Sequence, residues 1–488
     1  MSGTLEVVRG MRDLLPAAQG EAIRVRSHIE AILEAYGYAP VDLPIIEHRD
    51  LYQRKLGEEL AGKVYEFSFG GRDLALRPEW TASVLRAYVA HLQDQPLPLR
   101  LSYSGPVFRY ERPQRHTYRQ FTQIGGEIIG GPAPRADAEV LAVACAGLEA
   151  VGINDYRVLI GHVGLVREIL AQLGLTERTQ GILVWGLDRL RTRGPEAIRE
   201  RLHEDNSEIP AGLELPPGID ESQSAAWLLQ TLRMMELDLS TGTRHPEEIV
   251  ARLLRKLRRR DEQAALEHAL TILTHLTSLS GPPATAMPAM AAMLSAYNLE
   301  APAYQELGAL VELLEAHGLD AEHIRIEAGL GRGLHYYSGM IFEIDDASGL
   351  QLCGGGRYDD LVAALGGRGR VPAVGFAYGL ERVVAASKLK PLLSRRQHVL
   401  VAPVADDDYG YAQQVAQQLR TQNMIVTVDL RGRAVGRNLS DAARRGIDVV
   451  VIVGHEERTS QTLVWRELAR HHEQRISLDD LESMGQSG

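Results

Sequence analysis

The 488-residue chain is long enough for two or three domains with large apolar cores, and its 45% hydrophobic content places it among globular rather than disordered proteins. A formal charge of −11 argues against wholesale coating of nucleic acid while leaving room for local basic patches. The two cysteines, Cys145 and Cys353, form no C-x-x-C pair, which argues against a disulfide framework or a structural zinc site and fits a reducing cytoplasm.

The opening MSGTLEVVRGMRDLLP has no apolar signal region and no run of eighteen apolar residues occurs, so neither export nor membrane spanning is expected. In EAIRVRSHIEAILEAYGY, Val25, Ile29, Ile32, Leu33 and Tyr36 fall at helical spacing. Gly37 ends that pattern and Pro44 interrupts the extended APVDLPIIE, so an amphipathic helix feeds an edge or interface strand. From about 63 to 130, strand-like runs (VYEFSF, RLSYSGPVFRY, FTQIGGEIIG) surround the helix-like TASVLRAYVAHL. Without regular βαβ alternation they predict an antiparallel sheet. Residues 165–312, rich in Leu, Ala, Arg and Glu, read as a mostly helical insertion, including the long EEIVARLLRKLRRRDEQAALEHALTIL. Strands return at HIRIEAGL and YYSGMIFEI. After a basic linker, SKLKPLLSRRQ, strands HVLVAPV, MIVTVDL and DVVVIVG alternate with two helices, which predicts a small parallel α/β domain; HEERTS beyond them reads as a solvated turn.

Several segments could carry chemistry. FRYERPQRHTYRQFTQIGGEIIG, Phe108 to Gly130, gathers Arg109, Arg112, Arg115 and Arg119, with Glu111, Gln123 and Glu127 interleaved. Guanidinium groups meet phosphate through paired donors, so such a hairpin suits a polyphosphate and a nucleic-acid end; a solvated basic hairpin has the same composition. LRPEWTASVLRAY sets Glu79 and Thr81 at a helix mouth, where Thr can cap and Glu can complement the dipole. LCGGGRYDDLVAAL puts three glycines before Arg357 and Tyr358, letting backbone approach a ligand, but it is not a P-loop. In GLGRGLHYYSGM, Gly329 to Met340, Leu334 replaces the third glycine of a dinucleotide fingerprint, so the stretch reads as a turn within a β-meander. AVGFAYGLERVVAA runs a strand into a helix with Arg382 on its first turns. No H-E-x-x-H or G-x-S-x-G motif occurs and no metal ligand is assigned. Trp80, Trp185, Trp227 and Trp465 read as core or pocket walls.

In this order, VRGMRDLLP, the first helix with its Pro44 strand, FRYERPQ to FTQIGGE, RGLHYYSG with CGGGRYD, and GFAYGLER resemble the histidyl-tRNA synthetases, a class II aminoacyl-tRNA synthetase family. The resemblance implies an α+β fold: a class II synthetase-like antiparallel sheet with flanking helices, divided as 1–164 and 313–388 around the insertion, and an anticodon-binding-like α/β domain at 398–488. It implies ATP as substrate, with Mg2+, L-histidine and tRNA(His) as partners, and a homodimer.

By the same resemblance, Arg109 would hold the α-phosphate, Glu111 the adenine and Arg382 the far phosphates, while Arg332 would face the histidine carboxylate and the α-phosphate. Glu127 and Tyr337 would meet the imidazole, Glu79, Thr81 and Gln123 the α-amino group, and Tyr358 the pocket wall. Gln114 and Arg115 would read the acceptor end, and Arg433 and Arg437, within the basic DLRGRAVGRNLSDAARRG, would touch tRNA phosphates. Three positions depart from the usual pattern: His335 for Asp, Thr117 for Arg in the hairpin loop, and Trp80 for Gly, where a larger side chain is expected to narrow the pocket. The competing reading is a histidine-sensing regulatory subunit of ATP phosphoribosyltransferase. Such paralogues typically lack the C-terminal domain and lose the ATP-binding arginines, which this chain keeps as Arg109, Arg332 and Arg382.

Overall fold

The computed structural model describes residues 6–53, 62–112, 116–203, 221–234, 263–331, 336–389 and 396–481. The chain forms two units, Met1–Leu389 and Lys390–Gly488. The first unit begins with the helix Pro16–Ala35, opened by Pro at its first position and burying Ala22, Val25, Ile29 and Leu33 along one stripe. Gly37, with φ +79°, closes it: Gly37 N–H donates to Glu34 O and Tyr38 N–H to Leu33 O, so a left-handed residue satisfies the last carbonyls. Tyr36 falls just past the helix and is 38% exposed, so it is not part of the buried stripe.

The strands of this unit are β1 (Ala39–Pro40), β2 (Ile46–His48), β3 (Tyr65–Phe69), β4 (Arg72–Leu76), β5 (Leu99–Phe108), β6 (Gln120–Ile129), β7 (Tyr156–His162), β8 (Ser280–Gly281), β9 (Ile324–Glu327), β10 (Met340–Asp346), β11 (Gln351–Arg357) and β12 (Ala373–Gly379). Nine of them form one sheet in the order β1-β5-β6-β12-β11-β10-β7-β9-β8, and β2-β4-β3 make a small second sheet. Neighbours in the large sheet are antiparallel except β1 with β5 and β7 with β9.

Two features differ from the sequence expectation. The strands on either side of the stretch from Gly329 to Met340 are not neighbours, because β9 and β10 flank β7 on opposite sides. Period-two patterning marks a strand without naming its neighbour. A central helix, Arg135–Glu149, was not anticipated; it buries eleven of its fifteen residues. It packs against β6, β11, β12 and the helix Pro302–Ala316. Among the described residues between 163 and 316 most are helical, and Gln263–Ser278, Pro283–Ala296 and Pro302–Ala316 contribute to the same apolar core as the sheet. The basic run preceding Gln263 lies outside the described residues.

The second unit contains β13 (His398–Pro403), β14 (Ile425–Val428), β15 (Val449–Val453), β16 (Thr462–Glu467) and β17 (His472–Ser477), ordered β14-β13-β15-β16-β17. The first three are parallel, as their alternation with helices predicts. The last two extend the sheet as an antiparallel hairpin, and HEERTS forms the helix His455–Ser460 rather than a turn. Val399, Val401, Val449 and Val451 enter one apolar cluster with the helix Tyr409–Thr421, while Leu400, Ala402 and Val450 enter another with Ala442 of the helix Val435–Arg444. A strand buried on both faces reads as a continuous apolar run.

Candidate active site

The pairing of β5, β6, β12 and β11 puts one end of four strands beside the helix mouth at Thr81 and the helix Leu380–Ala386, and a cavity of about 240 Å³ opens there. Glu79, Thr81, Arg109, Glu111, Gln123, Tyr337, Tyr358 and Arg382 all line it. Glu127 lies directly behind, with no exposed surface. Arg332, Gln114, Arg115 and His335 lie outside the described residues.

Glu127 is the focus of the hydrogen bonding. Thr81 Oγ1 donates to its Oε1 at 2.8 Å, Tyr103 Oη donates to the same oxygen at 3.1 Å, and the Tyr358 hydroxyl bonds Oε2. Burial pushes its carboxyl up to about 8, helped by the neighbouring Glu79 charge and opposed by the three hydroxyl donors. The strand across from it makes room by having no side chain: a Cβ on Gly375 would stand 1.5 Å from Glu127 Oε2.

At the helix mouth the roles differ from the sequence expectation. Glu79, not Thr81, supplies the cap, its Oε1 accepting from Ala82 N–H at 3.0 Å; Thr81 spends its proton on Glu127. Glu79 Oε2 and Gln123 Oε1 are buried with no hydrogen-bond partner. Burial raises the Glu79 carboxyl, while the Ala82 N–H and the Arg109 charge pull the other way. Two orphan acceptors beside a third oxygen whose proton is already committed form a receptor for a small cationic donor.

The cavity also takes two arginines, together with the carboxylates Glu111 and Glu381. Arg109 reaches in from the end of β5, fixed by Nε donating to Pro78 O at 2.8 Å, with its guanidinium 5.3 Å from the Phe121 ring centre. Arg382 comes from the first turn of the helix Leu380–Ala386, anchored by Nη1 to Gln351 O at 3.1 Å. Glu111 stands near Lys63 at 3.7 Å. Glu381, also lining the cavity, accepts from Thr122 N–H at 3.0 Å. Among the described residues no group of three or more His, Cys, Asp or Glu is placed to hold a metal ion.

Tyr337 is 6% exposed, with its ring 4.9 Å from that of Tyr336, which in turn meets Tyr358 edge-on at 5.7 Å. The loop is pinned by Ser338 N–H to Arg357 O at 2.8 Å and Val163 N–H to Gly339 O at 2.9 Å. Arg357 itself is buried, paired with Asp137 of the central helix at 2.6 Å. That ion pair fixes the backbone from which Tyr358 projects. Trp80 does not narrow the cavity: its side chain is 1% exposed, turned into the core and stacked on Tyr103. Thr117 does line it.

Tyr103 and Glu381 are site residues that the motif reading passed over. Tyr103 shares a face of β5 with Leu101 and Gly105, and only the register with β6 shows that this face points at Glu127. In the second unit, Arg433 is held by Asp429 and Asp441, each at 3.0 Å, whereas Arg437 is exposed on the helix Val435–Arg444.

A largely antiparallel sheet that ends in a cavity lined by two arginines, with a buried carboxylate behind it, is the catalytic body of a class II aminoacyl-tRNA synthetase. A family model for histidyl-tRNA synthetases matches residues 10–236 and 247–383, and one for an anticodon-binding domain matches 398–486. The chain belongs to the histidyl-tRNA synthetase family. It is 31% identical to the histidine–tRNA ligase of Methanocaldococcus jannaschii over 97% of both chains, and 30% identical to that of Pyrococcus horikoshii over 98% of this chain and 97% of the other. In fold it resembles the apo histidyl-tRNA synthetase of S. aureus, with a TM-score of 0.62 at 22% identity, covering 99% of this chain and 100% of that one. A Bacillus halodurans structure described as an ATP phosphoribosyltransferase regulatory subunit/histidyl-tRNA synthetase has a TM-score of 0.65 at 22% identity over 93% of this chain and 99% of that one.

Proposed function

We propose that the chain activates L-histidine with ATP and transfers it to the 3′ end of tRNA(His). A histidine carboxylate oxygen attacks the α-phosphorus of ATP and pyrophosphate leaves. The terminal ribose hydroxyl of the tRNA then attacks the carbonyl of the histidyl-adenylate and AMP leaves. The observation that carries this reading is the buried Glu127 with three hydroxyl groups turned toward it, behind a cavity lined by Arg109 and Arg382.

A neutral imidazole has one donor and one acceptor, so Glu127 and Tyr337 take its two nitrogens. The α-ammonium has three N–H donors, and Glu79 Oε2, Gln123 Oε1 and Thr81 Oγ1 offer three acceptors; the first two have no other partner. An amino acid with an apolar side chain would still seat its α-ammonium but would give the groups facing the imidazole no donor or acceptor, and that mismatch is the basis of rejection. Tyr358 acts by holding Glu127 as well as walling the pocket. Arg109 and Arg332 offset charge at the α-phosphorus, Arg382 takes the far phosphates, and Glu111 seats the adenine. Magnesium enters with ATP as part of the substrate. Gln114, Arg115 and Arg437 contact the tRNA, while Arg433, tied to two aspartates, shapes the loop that presents Arg437. The chain works in the cytoplasm as a homodimer; the apolar side chains Ile45, Ile46, Phe67 and Phe69 left exposed around the small sheet support that assembly. No helix among the described residues is long and apolar enough to cross a membrane.

The test is histidine-dependent exchange of pyrophosphate into ATP, followed by charging of tRNA(His). Exchange with charging is expected. Exchange without charging would redirect the reading to another acceptor, and histidine binding without exchange would favour a regulatory paralogue.

A further inference from the structure

Trp80 stands between Glu79 and Thr81, two residues of the proposed histidine pocket, yet its own side chain faces away from the cavity. Its indole lies on the Tyr103 ring, with centroids 5.0 Å apart and planes 8° from parallel. The Arg77 guanidinium carbon lies 3.5 Å from the indole centroid. Arg77 is fixed in turn by Nε to Pro106 O and Nη1 to Leu43 O, each at 2.8 Å. Gly105 leaves the space that this assembly fills: a Cβ there would lie 2.8 Å from Trp80 Cζ2 and 2.9 Å from Arg77 Nη2.

The far end of the assembly is the Tyr103 hydroxyl, which sits 3.1 Å from Glu127 Oε1 and 3.2 Å from Phe376 O. Both are acceptors and the hydroxyl has one proton, so the setting of the ring decides where it goes. We propose that Trp80 is a positioning residue for histidine recognition, its stacked indole holding Tyr103 so that the phenol donates to Glu127. This rests on the reading of Glu127 as the imidazole partner. The competing account is that the indole only fills core volume, in which case any apolar side chain of adequate size would serve.

The two accounts separate in steady-state exchange kinetics. Trp80→Leu keeps apolar bulk without a ring face and should raise the histidine KM roughly tenfold, the loss expected for one hydrogen bond, while leaving the ATP KM nearly unchanged. Tyr103→Phe should do the same, and the double variant should be no worse than the poorer single one, because both changes remove one contact. Trp80→Phe should restore most of the loss. Independently, histidine binding should alter the indole emission of the wild-type chain, and Trp80→Phe should abolish that change although Trp185, Trp227 and Trp465 remain. Losses that multiply in the double variant, an ATP KM that rises equally, or emission indifferent to histidine would each overturn the proposal. If Trp80→Leu does not fold, the emission pair decides the matter alone. A wild-type chain that neither binds histidine by calorimetry nor exchanges pyrophosphate would instead sink the underlying function. Histidine binding that is insensitive to Trp80 would sink only the positioning role.

Discussion

Glu127 has no exposed surface and its carboxyl is held up near 8 by burial, so in the unliganded chain it binds a proton that the unfolded chain releases in the ordinary carboxylate range. The sign follows from linkage: between those two values the native state carries more protons than the unfolded one, so stability falls as pH rises through that window. Glu127→Gln should therefore melt higher than wild type above pH 8 and lose that advantage toward pH 4.5. Thermal melts across that range check it, and a wild-type advantage at high pH would contradict the burial argument. The same substitution should raise the histidine KM roughly a hundredfold, a trade of stability for recognition. In the cavity, Arg109→Ala should slow histidine activation by roughly 10²-fold or more while changing histidine affinity little, because the charge it offsets develops at the reacting phosphorus. Single-turnover formation of the adenylate measures that split. Glu79, Thr81, Gln123 and Arg109 were singled out because their segments resemble those of a known family, and the structure gathers all four around one cavity. Tyr103 was not: on β5 it reads as an ordinary strand aromatic, and its role exists only once β6 is paired beside it.

At the scale of elements, the strands around the cavity are shaped by what they lack. β12 can pass Glu127 only because residue 375 is a glycine, and Gly375→Ala should displace the carboxylate, cost about 1–3 kcal/mol of stability and abolish histidine recognition together. Unfolding in urea and histidine calorimetry test the two halves; a stable variant with normal binding would show that the strand can yield. The central helix supports the same region from behind. Asp137→Ala would leave the buried Arg357 with Asp359, at 3.0 Å, as its remaining carboxylate and should destabilise the first unit by roughly 3 kcal/mol, the lower end of the cost of breaking a buried pair, measurable by denaturant unfolding. The helix Arg135–Glu149 was passed over, and the three glycines before Arg357 were read as allowing close backbone approach to a ligand, whereas the structure pairs the Arg357 side chain with Asp137. The connection from β9 to β10 was misjudged for a related reason: local sequence fixes where a strand lies, while the intervening β7 was contributed by residues more than 150 positions earlier.

At the scale of the whole molecule, the two units keep separate apolar cores, one around the large sheet and two thinner layers on either face of the C-terminal sheet. Scanning calorimetry should accordingly resolve two transitions, and histidine with ATP should raise only the one belonging to Met1–Leu389, since a ligand stabilises the state that binds it. A single transition shifted as a whole would mean that the cores melt together. The parallel half of the C-terminal unit was plain in the sequence from its alternation, but the closing hairpin was not, because Thr462–Glu467 and His472–Ser477 carry charged and polar residues on their exposed faces and resemble loop. The placement of the two cysteines has a practical use for studying these units. Cys145 is sealed in the core with its thiol pushed up to about 12, and Cys353 is buried beside the substrate cavity. Thiol reagents act on exposed thiolates, so with histidine and ATP bound the native chain offers an almost silent background. One surface cysteine introduced in each unit could then carry a dye pair, and the distance between the units could be followed through a catalytic cycle without first removing either natural thiol.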